Sequence, residues 1–343
     1  MASRPTIADL AEKAGVSVAT VDRVLNGRHK VREETARRVF EAAGAIGYHA
    51  VSLIQQRLYQ DLPEFTFGVI LQKEKQEFYQ NFANEIESAV RSMPNIRGRL
   101  ILNYLVTPTP AEISEKILAM IPRAQAIALP AIDHHLVSEA VMTARVKGVP
   151  VFSLLSDFAA GIRESYVGMN NLKVGRTAAW MIAKGAKRPG KVAIFVGGHR
   201  WHGHELRETG FRNYFRQHAP QFEILDTLVN LETRQLTYEA TLDLLARHPD
   251  LVGFYCAGGG MEGAIAALRE ENRAHKLEVV VNELTSMTRA ALADGIITLV
   301  IGTPLPSLCR ELTSMMVNAV RTGPAAAPGQ LFLPMSLFTA ESI

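Results

Sequence analysis

The sequence predicts a small all-α domain at the N-terminus, followed by a larger α/β region whose parallel strands form two lobes. Two patterns carry this prediction. Apolar residues in the first fifty positions recur at helical spacing, between threonine or serine and glycine signals. After Phe65, short apolar runs alternate with amphipathic segments. Because these runs are too numerous for one ordinary sheet, two lobes fit the pattern better.

The composition is that of a soluble, multidomain globular protein. The chain has 343 residues, of which 48% are hydrophobic and 21% charged, and its formal net charge is only +3. A nucleic-acid footprint must therefore be local. Cys256 and Cys309 are too far apart in sequence for a disulfide framework or a cysteine zinc site. With no signal-peptide core and no membrane-spanning run, we expect a cytoplasmic protein.

Three helices are predicted in the N-terminal domain. Thr6 can cap the first with Asp9 as its carboxylate partner, and Gly15 ends it. Ser17 can cap a second helix from Val18 to Leu25, and a third spans about 32–46. Each has one apolar face: Ile7, Leu10, Ala11 and Ala14 in the first, Val21, Val24 and Leu25 in the second, and Val39, Ala42, Ala43 and Ile46 in the third. A helical hairpin of this size often has only a structural role, so its function must be inferred from the particular residues that it carries.

The run from Thr6 to Asn26, TIADLAEKAGVSVATVDRVLN, resembles the signature of the lactose-repressor (LacI/GalR) family of bacterial transcriptional regulators. The resemblance implies a helix-turn-helix DNA-binding domain over residues 1–49, whose second helix reads the major groove through Val18, Ala19 and Arg23. Arg23 suits a bidentate contact to guanine, whereas its two partners offer only apolar contact. The phosphate-contacting positions of the family match Thr6, Ser17, Thr20, Asn26, Thr35 and Tyr48.

Asp22 departs from the family, which usually has serine there. The carboxylate either costs affinity beside the phosphates or accepts a hydrogen bond from a cytosine amine or a neighbouring arginine, and both alternatives stay open. Residues 1–62 hold nine lysines and arginines against seven acidic residues, so the domain is mildly basic.

Residues 50–63 correspond to the family's hinge, a short helix that inserts a leucine into the minor groove. The stretch lacks the usual Pro-Asn after Tyr48, and Arg57 occupies the strict leucine position. We expect Leu58 to be the inserted residue, with Leu53 or a hinge that does not insert as the alternative. The proline at position 63 ends the segment.

Nine strands are predicted beyond the hinge, over 66–72, 99–105, 124–129, 149–155, 191–196, 224–229, 251–256, 278–282 and 297–301. Residues 64–343 resemble the periplasmic-binding-protein-like effector domain of the same family, above all in the segments 166–175, 204–211 and 255–260. The break is expected near Tyr166–Asn170. Lobe 1 then comprises about 64–165 and 304–328, and lobe 2 about 166–303 and 329–343.

The resemblance places a ligand between the lobes, at the carboxyl ends of the strands. The matching effector-binding positions are Gln76, Phe78, Tyr79, Asp157, Arg207, Asn282 and Thr303. Phe78 or Tyr79 could instead be core, and Arg207 could be a solvated helix charge. The family's sugar-responsive branches suggest a polyhydroxylated effector: a sugar, a polyol or a sugar phosphate.

Two further constellations have weaker alternatives. The histidines in the segment 199–205 are spaced closely enough to bind a metal ion, but a polar rim of the cleft is favoured. Gly258–Gly260 precedes a helix and could cradle a phosphate, but no Lys-Ser/Thr follows, so a tight turn is favoured. No catalytic motif is recognisable, and no metal or cofactor is expected.

The sequence as a whole favours an effector-controlled repressor that binds a palindromic operator as a homodimer. Induction and corepression are both open. A dimer is preferred over a tetramer, because no heptad helix follows Phe338. The alternatives are a solute-binding receptor without a DNA role, which the N-terminal motif opposes, and a sugar-processing enzyme.

Overall fold

The computed structural model describes residues 5–26, 31–50, 54, 62–198, 200–272 and 275–343. The chain divides into two compact units. The first covers residues up to 65 together with 93–99, and the second covers 66–92 and 100–343. Among the described residues, no helix is long and apolar enough to span a membrane.

The first unit contains the three predicted helices, α1 (Ile7–Ala14), α2 (Val18–Asn26) and α3 (Glu33–Ala45). The capping box of α1 is confirmed, because the Asp9 amide donates to the Thr6 hydroxyl and the Thr6 amide donates to the Asp9 carboxylate. Gly15 ends α1 in the left-handed conformation, at φ +62°. The predicted apolar faces meet in one core that contains Leu10, Val21 and Val39.

From Glu64 onwards the chain alternates strands and helices. Its strands are β1 (Glu64–Gln72), β2 (Arg97–Leu105), β3 (Ala126–Leu129), β4 (Val151–Leu154), β5 (Ser165–Met169), β6 (Lys191–Val196), β7 (Glu223–Ile224), β8 (Leu228–Val229), β9 (Leu251–Cys256), β10 (Glu278–Asn282), β11 (Leu299–Gly302), β12 (Gly329–Leu333) and β13 (Ser336–Phe338). Its helices are α4 (Glu77–Ser92), α5 (Pro110–Met120), α6 (His135–Val146), α7 (Asn171–Gly185), α8 (His202–His218), α9 (Arg234–Arg247), α10 (Met261–Glu270), α11 (Ser286–Ala293) and α12 (Leu305–Thr322).

The strands form two sheets, as predicted. The order in the first is β12-β5-β4-β3-β1-β2, and in the second it is β13-β11-β10-β9-β6-β7, with β8 also paired to β6. In the second sheet β13 runs antiparallel to β11, whereas β6, β9, β10 and β11 are parallel. Each lobe has its own buried core, around Ile127 and Leu129 in the first and Phe195 and Phe254 in the second.

The predicted lobe boundaries at 166 and 329 are wrong. Tyr166 pairs with Ser153 inside the first sheet, and β12 continues that sheet by pairing with β5. The chain therefore leaves lobe 1 only after Met169 and, for the last time, after Leu333. The run Ser165–Met169 resembled a break because Asn170, which caps α7, follows it directly. The predicted strand 224–229 is likewise two short strands, β7 and β8.

Candidate functional site

A cavity lies where the carboxyl ends of parallel strands from both lobes meet. The cavity is open to solvent at its mouth, and the centre of a water molecule can occupy about 90 Å³ of it. The side chains that line it follow strands β1, β3, β4, β6, β8, β9 and β10. They include Gln72, Lys73, Gln76, Phe78, Tyr79, Trp201, His204, Arg207, Glu232, Met261, Glu262, Asn282 and Glu283.

Five of the seven predicted effector residues line this cavity: Gln76, Phe78, Tyr79, Arg207 and Asn282. The rings of Phe78 and Tyr79 meet edge to face, with their centroids 5.1 Å apart. Phe78 also lies 6.2 Å from the ring of the core residue Phe82, so it joins the cavity wall to the core. Burial, reinforced by nearby carboxylates, raises the pKa of the Tyr79 hydroxyl well above its ordinary value, which keeps it a hydrogen-bond donor.

Arg207 is buried at 7% exposure, so it is not a solvated helix charge. Its Nε donates to Asn171 Oδ1 at 2.7 Å and its Nη1 to the carbonyl of Ala257 at 2.8 Å. These bonds depend on the close approach of α7 and α8. A Cβ at Gly175 would lie 1.9 Å from the Arg207 carbonyl oxygen, so no larger residue fits there. Glycine in α7 thus helps to hold the arginine at the cavity wall.

Asp157 does not line the cavity, and its prediction as an effector ligand is corrected. Its Oδ1 accepts from Arg163 Nε at 2.5 Å and its Oδ2 from Arg163 Nη2 at 2.6 Å. The hydroxyl of Ser153 donates to Oδ1 at 2.6 Å. Burial raises the pKa of Asp157, but Arg163 and Ser153 outweigh it and the net pKa is lowered. The carboxylate neutralises a buried arginine inside lobe 1.

Thr303 is also behind the cavity wall, which corrects its prediction as a ligand contact. Its amide and hydroxyl donate to the two carboxylate oxygens of Glu283, at 2.9 and 2.7 Å. Glu283 itself lines the cavity. Burial raises the pKa of Glu283, and the two bonds from Thr303 oppose the rise. Thr303 therefore positions an acidic side chain that the sequence analysis did not single out.

A second acidic residue, Glu232, lies at the centre of a polar network that sequence reasoning missed. Lys73 Nζ, from lobe 1, is 2.9 Å from Glu232 Oε2, and the amide of Gly259 donates to Oε1 at 3.1 Å. Burial raises the pKa of Glu232, but the positive charge of Lys73 and the hydrogen bonds from Lys73 and the Gly259 amide outweigh it, and the pKa falls to about 2. The carboxylate is therefore ionised and joins the two lobes.

His204 completes this network. It accepts from the Gly197 amide through Nδ1, at 3.1 Å, and turns Nε2 towards Glu232 Oε1, at 3.5 Å. Burial is the main reason that its pKa falls to about 4, so the ring is neutral at physiological pH. His204 belongs to the histidine-rich segment and lines the cavity, in agreement with the polar rim that was favoured over a metal site. His199 of that segment lies outside the described residues.

Four residues in the cavity lining have left-handed backbone although none is glycine. They are Lys73 (φ 45°), Leu155 (φ 61°), Glu232 (φ 53°) and Glu283 (φ 68°). Each follows the carboxyl end of a strand. Such conformations cost on the order of 1 kcal/mol or more each and concentrate at functional sites. Here they belong to the turns that bring three charged side chains to one cavity.

The predicted DNA-reading residues lie on the exposed face of α2. Val18 is 50% exposed, and Ala19 and Arg23 are exposed as well, opposite the buried Val21 and Val24. Ser17 caps the helix by accepting from the Thr20 amide at 3.2 Å. Of the predicted phosphate contacts, Thr6, Ser17 and Asn26 are exposed, Thr20 and Thr35 half-buried, and Tyr48 only 5% exposed. Leu58, Leu53 and Arg57 of the hinge lie outside the described residues.

The structure gives Asp22 a partner that the sequence analysis did not consider. Asn26 Nδ2 donates to Asp22 Oδ1 at 2.6 Å, one turn along α2. The carboxylate therefore holds the amide of a predicted phosphate contact. Whether it also meets a base stays a prediction.

Comparison with known proteins assigns both the N-terminal helices and the α/β part of the chain to described families. Residues 6–50 match the family described as bacterial regulatory proteins, lacI family, and residues 67–324 match the periplasmic binding protein domain. Together they define a DNA-binding transcriptional regulator with a ligand-binding type of α/β domain. The chain belongs to the lacI family of bacterial regulators.

Curated relatives agree with this assignment. The chain is 26% identical over 268 residues to the HTH-type transcriptional regulator GntR of Pseudomonas aeruginosa, covering 76% of this chain and 74% of the relative. It is 22% identical over 316 residues to the transcriptional regulator GalS of Salmonella typhimurium, and the match covers 91% of this chain and 89% of the relative. These relatives are transcriptional regulators, not enzymes.

A solved structure shows the same fold in the α/β part. It is an ABC transporter solute-binding protein from Burkholderia graminis in complex with D-arabinose, with a TM-score of 0.73 and 20% identity. The match covers 82% of this chain and 97% of that one.

Proposed function

We propose that this regulator is a cytoplasmic homodimeric repressor whose affinity for a palindromic operator is controlled by a small polyhydroxylated effector: a sugar, a polyol or a sugar phosphate. The observation that carries the proposal is the cavity wall. Phe78 and Tyr79 offer aromatic surface for the apolar face of a sugar ring, while Arg207 and Asn282 offer polar groups for its hydroxyls. The sugar complex of the similar solute-binding protein supports this class of ligand.

In this proposal residues 1–49 read DNA, 50–63 form the hinge and 64–343 bind the effector. Arg23 reads a guanine, Val18 and Ala19 make apolar contacts, and Leu58 enters the minor groove. Two subunits are required, because one helix-turn-helix contacts only one half-site.

Effector binding acts through the angle between the lobes. Several polar contacts already cross the cleft. Lys73 pairs with Glu232, and the Gly203 amide donates to the Ser156 hydroxyl at 3.0 Å. The Glu77 carboxylate accepts from the amide and hydroxyl of Ser286 at 2.9 Å. A ligand that favours one lobe angle over another shifts operator affinity by a coupling of about 1 to 3 kcal/mol.

Effector binding is tested by thermal shift of the full chain against sugars, polyols and sugar phosphates. The expected result is a raised melting temperature with members of one class, and a much smaller shift in Phe78→Ala. No response to any compound would contradict the proposed effector class.

Operator binding is tested by pulling down genomic fragments with the purified protein and sequencing them, with and without the effector. We expect a palindrome whose occupancy changes with effector. The variant Arg23→Ala should weaken that site by about 1 to 3 kcal/mol, with relaxed preference at one base pair of each half-site. Failure to enrich any palindrome would remove the repressor proposal.

A further inference from the structure

We infer that Asn171 is a positioning residue that holds the guanidinium of Arg207 at the cavity and ties it to lobe 1. Contact with the effector is thereby transmitted to the point where the chain crosses between the lobes. The inference rests on the proposed function, because it takes Arg207 as an effector contact. It follows from the place of Asn171 in the chain, the partners of its amide, and the backbone of the turn that it meets.

Asn171 lies at the first crossing of the chain from lobe 1 to lobe 2. Strand β5, which ends at Met169, is an inner strand of the first sheet. Helix α7 begins at Asn171, and its buried residues pack in the core of lobe 2 with Val192 and Ile194. Asn171 itself is only 4% exposed, because residues of both lobes enclose it. A change in the angle between the lobes therefore acts on its contacts.

Every polar atom of the Asn171 side chain is paired. Its Oδ1 accepts from Arg207 Nε, in lobe 2, at 2.7 Å. Its Nδ2 donates to the carbonyl of Leu155 at 3.0 Å and to the hydroxyl of Tyr166 at 3.1 Å, both in lobe 1. Since a guanidinium only donates and a carbonyl only accepts, the orientation of the amide is fixed. The oxygen therefore serves lobe 2, and the nitrogen serves lobe 1.

The bond from Asn171 leaves most of the Arg207 guanidinium free for a ligand. Arg207 uses its Nε for Asn171 and one Nη1 hydrogen for the Ala257 carbonyl. Within the described part of the chain it forms no ion pair, so its other N–H groups remain for the cavity that it lines. A guanidinium held at two points is preorganised, because little side-chain freedom is lost when a ligand binds. Asn171 thus contributes to effector affinity from behind the cavity wall.

The partner of Asn171 in lobe 1 is a turn with an unfavourable backbone. Leu155 follows β4 in the left-handed conformation, at φ 61°, which persists only where its surroundings hold it. Asn171 holds the carbonyl of Leu155, and the Gly203 amide donates to the hydroxyl of the next residue, Ser156, at 3.0 Å. A Cβ at Gly203 would lie 3.1 Å from both Asn171 Nδ2 and the Leu155 carbonyl oxygen, so the start of α8 fits closely against this pair. Release of the bond lets the turn relax and gives the lobes a second arrangement.

The amide group of Asn171 is planar, so its two ends move together. A shift of the guanidinium when the effector binds therefore changes the bond to Leu155, and a change of lobe angle changes the bond to Arg207. Such coupling is reciprocal, because each site alters the affinity of the other by the same factor. Effector affinity and its effect on operator affinity should both depend on Asn171.

Two substitutions at position 171 separate the two ends of the amide. Asn171→Ala removes both ends. Asn171→Asp keeps an oxygen for Arg207 at similar volume but puts a second oxygen opposite the Leu155 carbonyl. The matched control is Asn170→Ala, because Asn170 is the neighbouring asparagine and caps α7 by accepting from the Lys173 amide at 3.0 Å. This control should lower the melting temperature and change neither effector affinity nor its coupling to the operator.

The first measurement needs no effector. Nitroxide labels on Glu115→Cys in α5 and Lys184→Cys in α7, two exposed positions, report the distance between the lobes by pulsed electron resonance in full-length protein diluted with unlabelled chains. Cys256 and Cys309 are buried and stay unlabelled. We expect a broader distance distribution in both variants at position 171 and an unchanged one in the control. An unchanged distribution in Asn171→Asp would overturn the tie to lobe 1, and this variant decides the point alone if the alanine variant does not fold.

The second measurement is calorimetric titration of the full chain with D-arabinose, D-galactose, myo-inositol and D-glucose 6-phosphate, with and without the enriched operator fragment. For a probe that binds, Asn171→Ala should weaken binding by about tenfold or more, because a hydrogen bond to a charged group is lost, and Asn171→Asp by less than about threefold. A coupled regulator changes its operator affinity by about 5- to 150-fold when the probe binds, and in both variants this change should fall below about twofold.

Two results of the titration would contradict the inference. Unchanged probe affinity in Asn171→Ala would overturn the positioning of Arg207, and full coupling in Asn171→Asp would overturn the transmission to lobe 1. If no probe binds the wild-type chain, the proposed effector class fails, whereas the distance measurement still decides whether Asn171 ties the lobes together.

Discussion

Replacing Asp157 by asparagine should destabilise the α/β unit severely without removing an effector ligand. The change leaves Arg163, which is 2% exposed, with its charge unneutralised inside lobe 1. Breaking one side of a buried ion pair costs about 3 to 5 kcal/mol. With an m value of about 3 kcal/mol/M in urea, the unfolding midpoint should fall by roughly 1 to 1.7 M.

The measurement is urea unfolding followed by circular dichroism, and the matched control is Glu87→Gln. Glu87 pairs with Arg91 on the surface of α4, where the two side chains are 58% and 79% exposed. The control makes the same chemical change but should cost less than about 1 kcal/mol. Equal costs in the two variants would refute the reasoning. So would a folded Asp157→Asn protein that has lost effector affinity, because that result would restore the aspartate as a ligand.

Three further predictions concern the cavity and its supports. Gly175→Ala should lower both the melting temperature and effector affinity, because the added Cβ would lie 1.9 Å from the carbonyl oxygen of Arg207. Lowering the pH from about 6.5 towards 4 should reduce the free energy of unfolding. In the folded chain His204 has a pKa of about 4 and stays neutral over this range, whereas the same histidine in the unfolded chain takes up a proton. Urea unfolding of His204→Gln at several pH values should therefore show a weaker dependence of the free energy of unfolding on pH. Glu77→Gln should weaken the contact with Ser286 and shift the lobes towards an open arrangement, measured as a larger radius of gyration in solution scattering.

Each of these predictions has a contrary outcome. Gly161→Ala is the control for Gly175→Ala, because a Cβ at Gly161 meets open space; equal loss in both variants would rule out the close helix approach as the cause. An identical pH slope in the wild-type chain and His204→Gln would assign the acid sensitivity to other groups. Unchanged scattering in Glu77→Gln would show that this contact does not hold the cleft.

Local patterns predicted most of the fold. The caps of α1 and α2, the buried faces of the three helices and strands such as β6, β9 and β10 follow from residue spacing and capping chemistry, which act over a few positions. The edge strand β12 did not, because none of its residues is buried, its apolar Phe332 is 47% exposed, and its partner β5 lies more than 150 residues earlier. Pairing over that distance leaves no mark in a local window.

The candidate site was predictable to the same limit. The resemblance to the family's effector domain indicated Gln76, Phe78 and Tyr79 after the first strand, and all three line the cavity. Glu232 follows a two-residue strand in a stretch that resembles an ordinary loop, and its partner Lys73 comes from the other lobe. The prediction for Asp157 was wrong for the opposite reason. A carboxylate that follows a strand was expected to face a ligand, whereas Asp157 forms an ion pair with the nearby Arg163.

The crossing of the chain between β12 and β13 affects how the protein is made. Each sheet receives an edge strand from residues 329–338, so lobe 1 lacks a strand until Leu333 has been added and lobe 2 until Phe338 has been added. The three N-terminal helices need only the first fifty residues. At a synthesis rate of about 5 to 20 residues per second, roughly 15 to 60 s separate the two events on the ribosome. During that interval a nascent chain can present its DNA-reading helix while lacking the cavity that regulates it, so effector control is the last property it acquires.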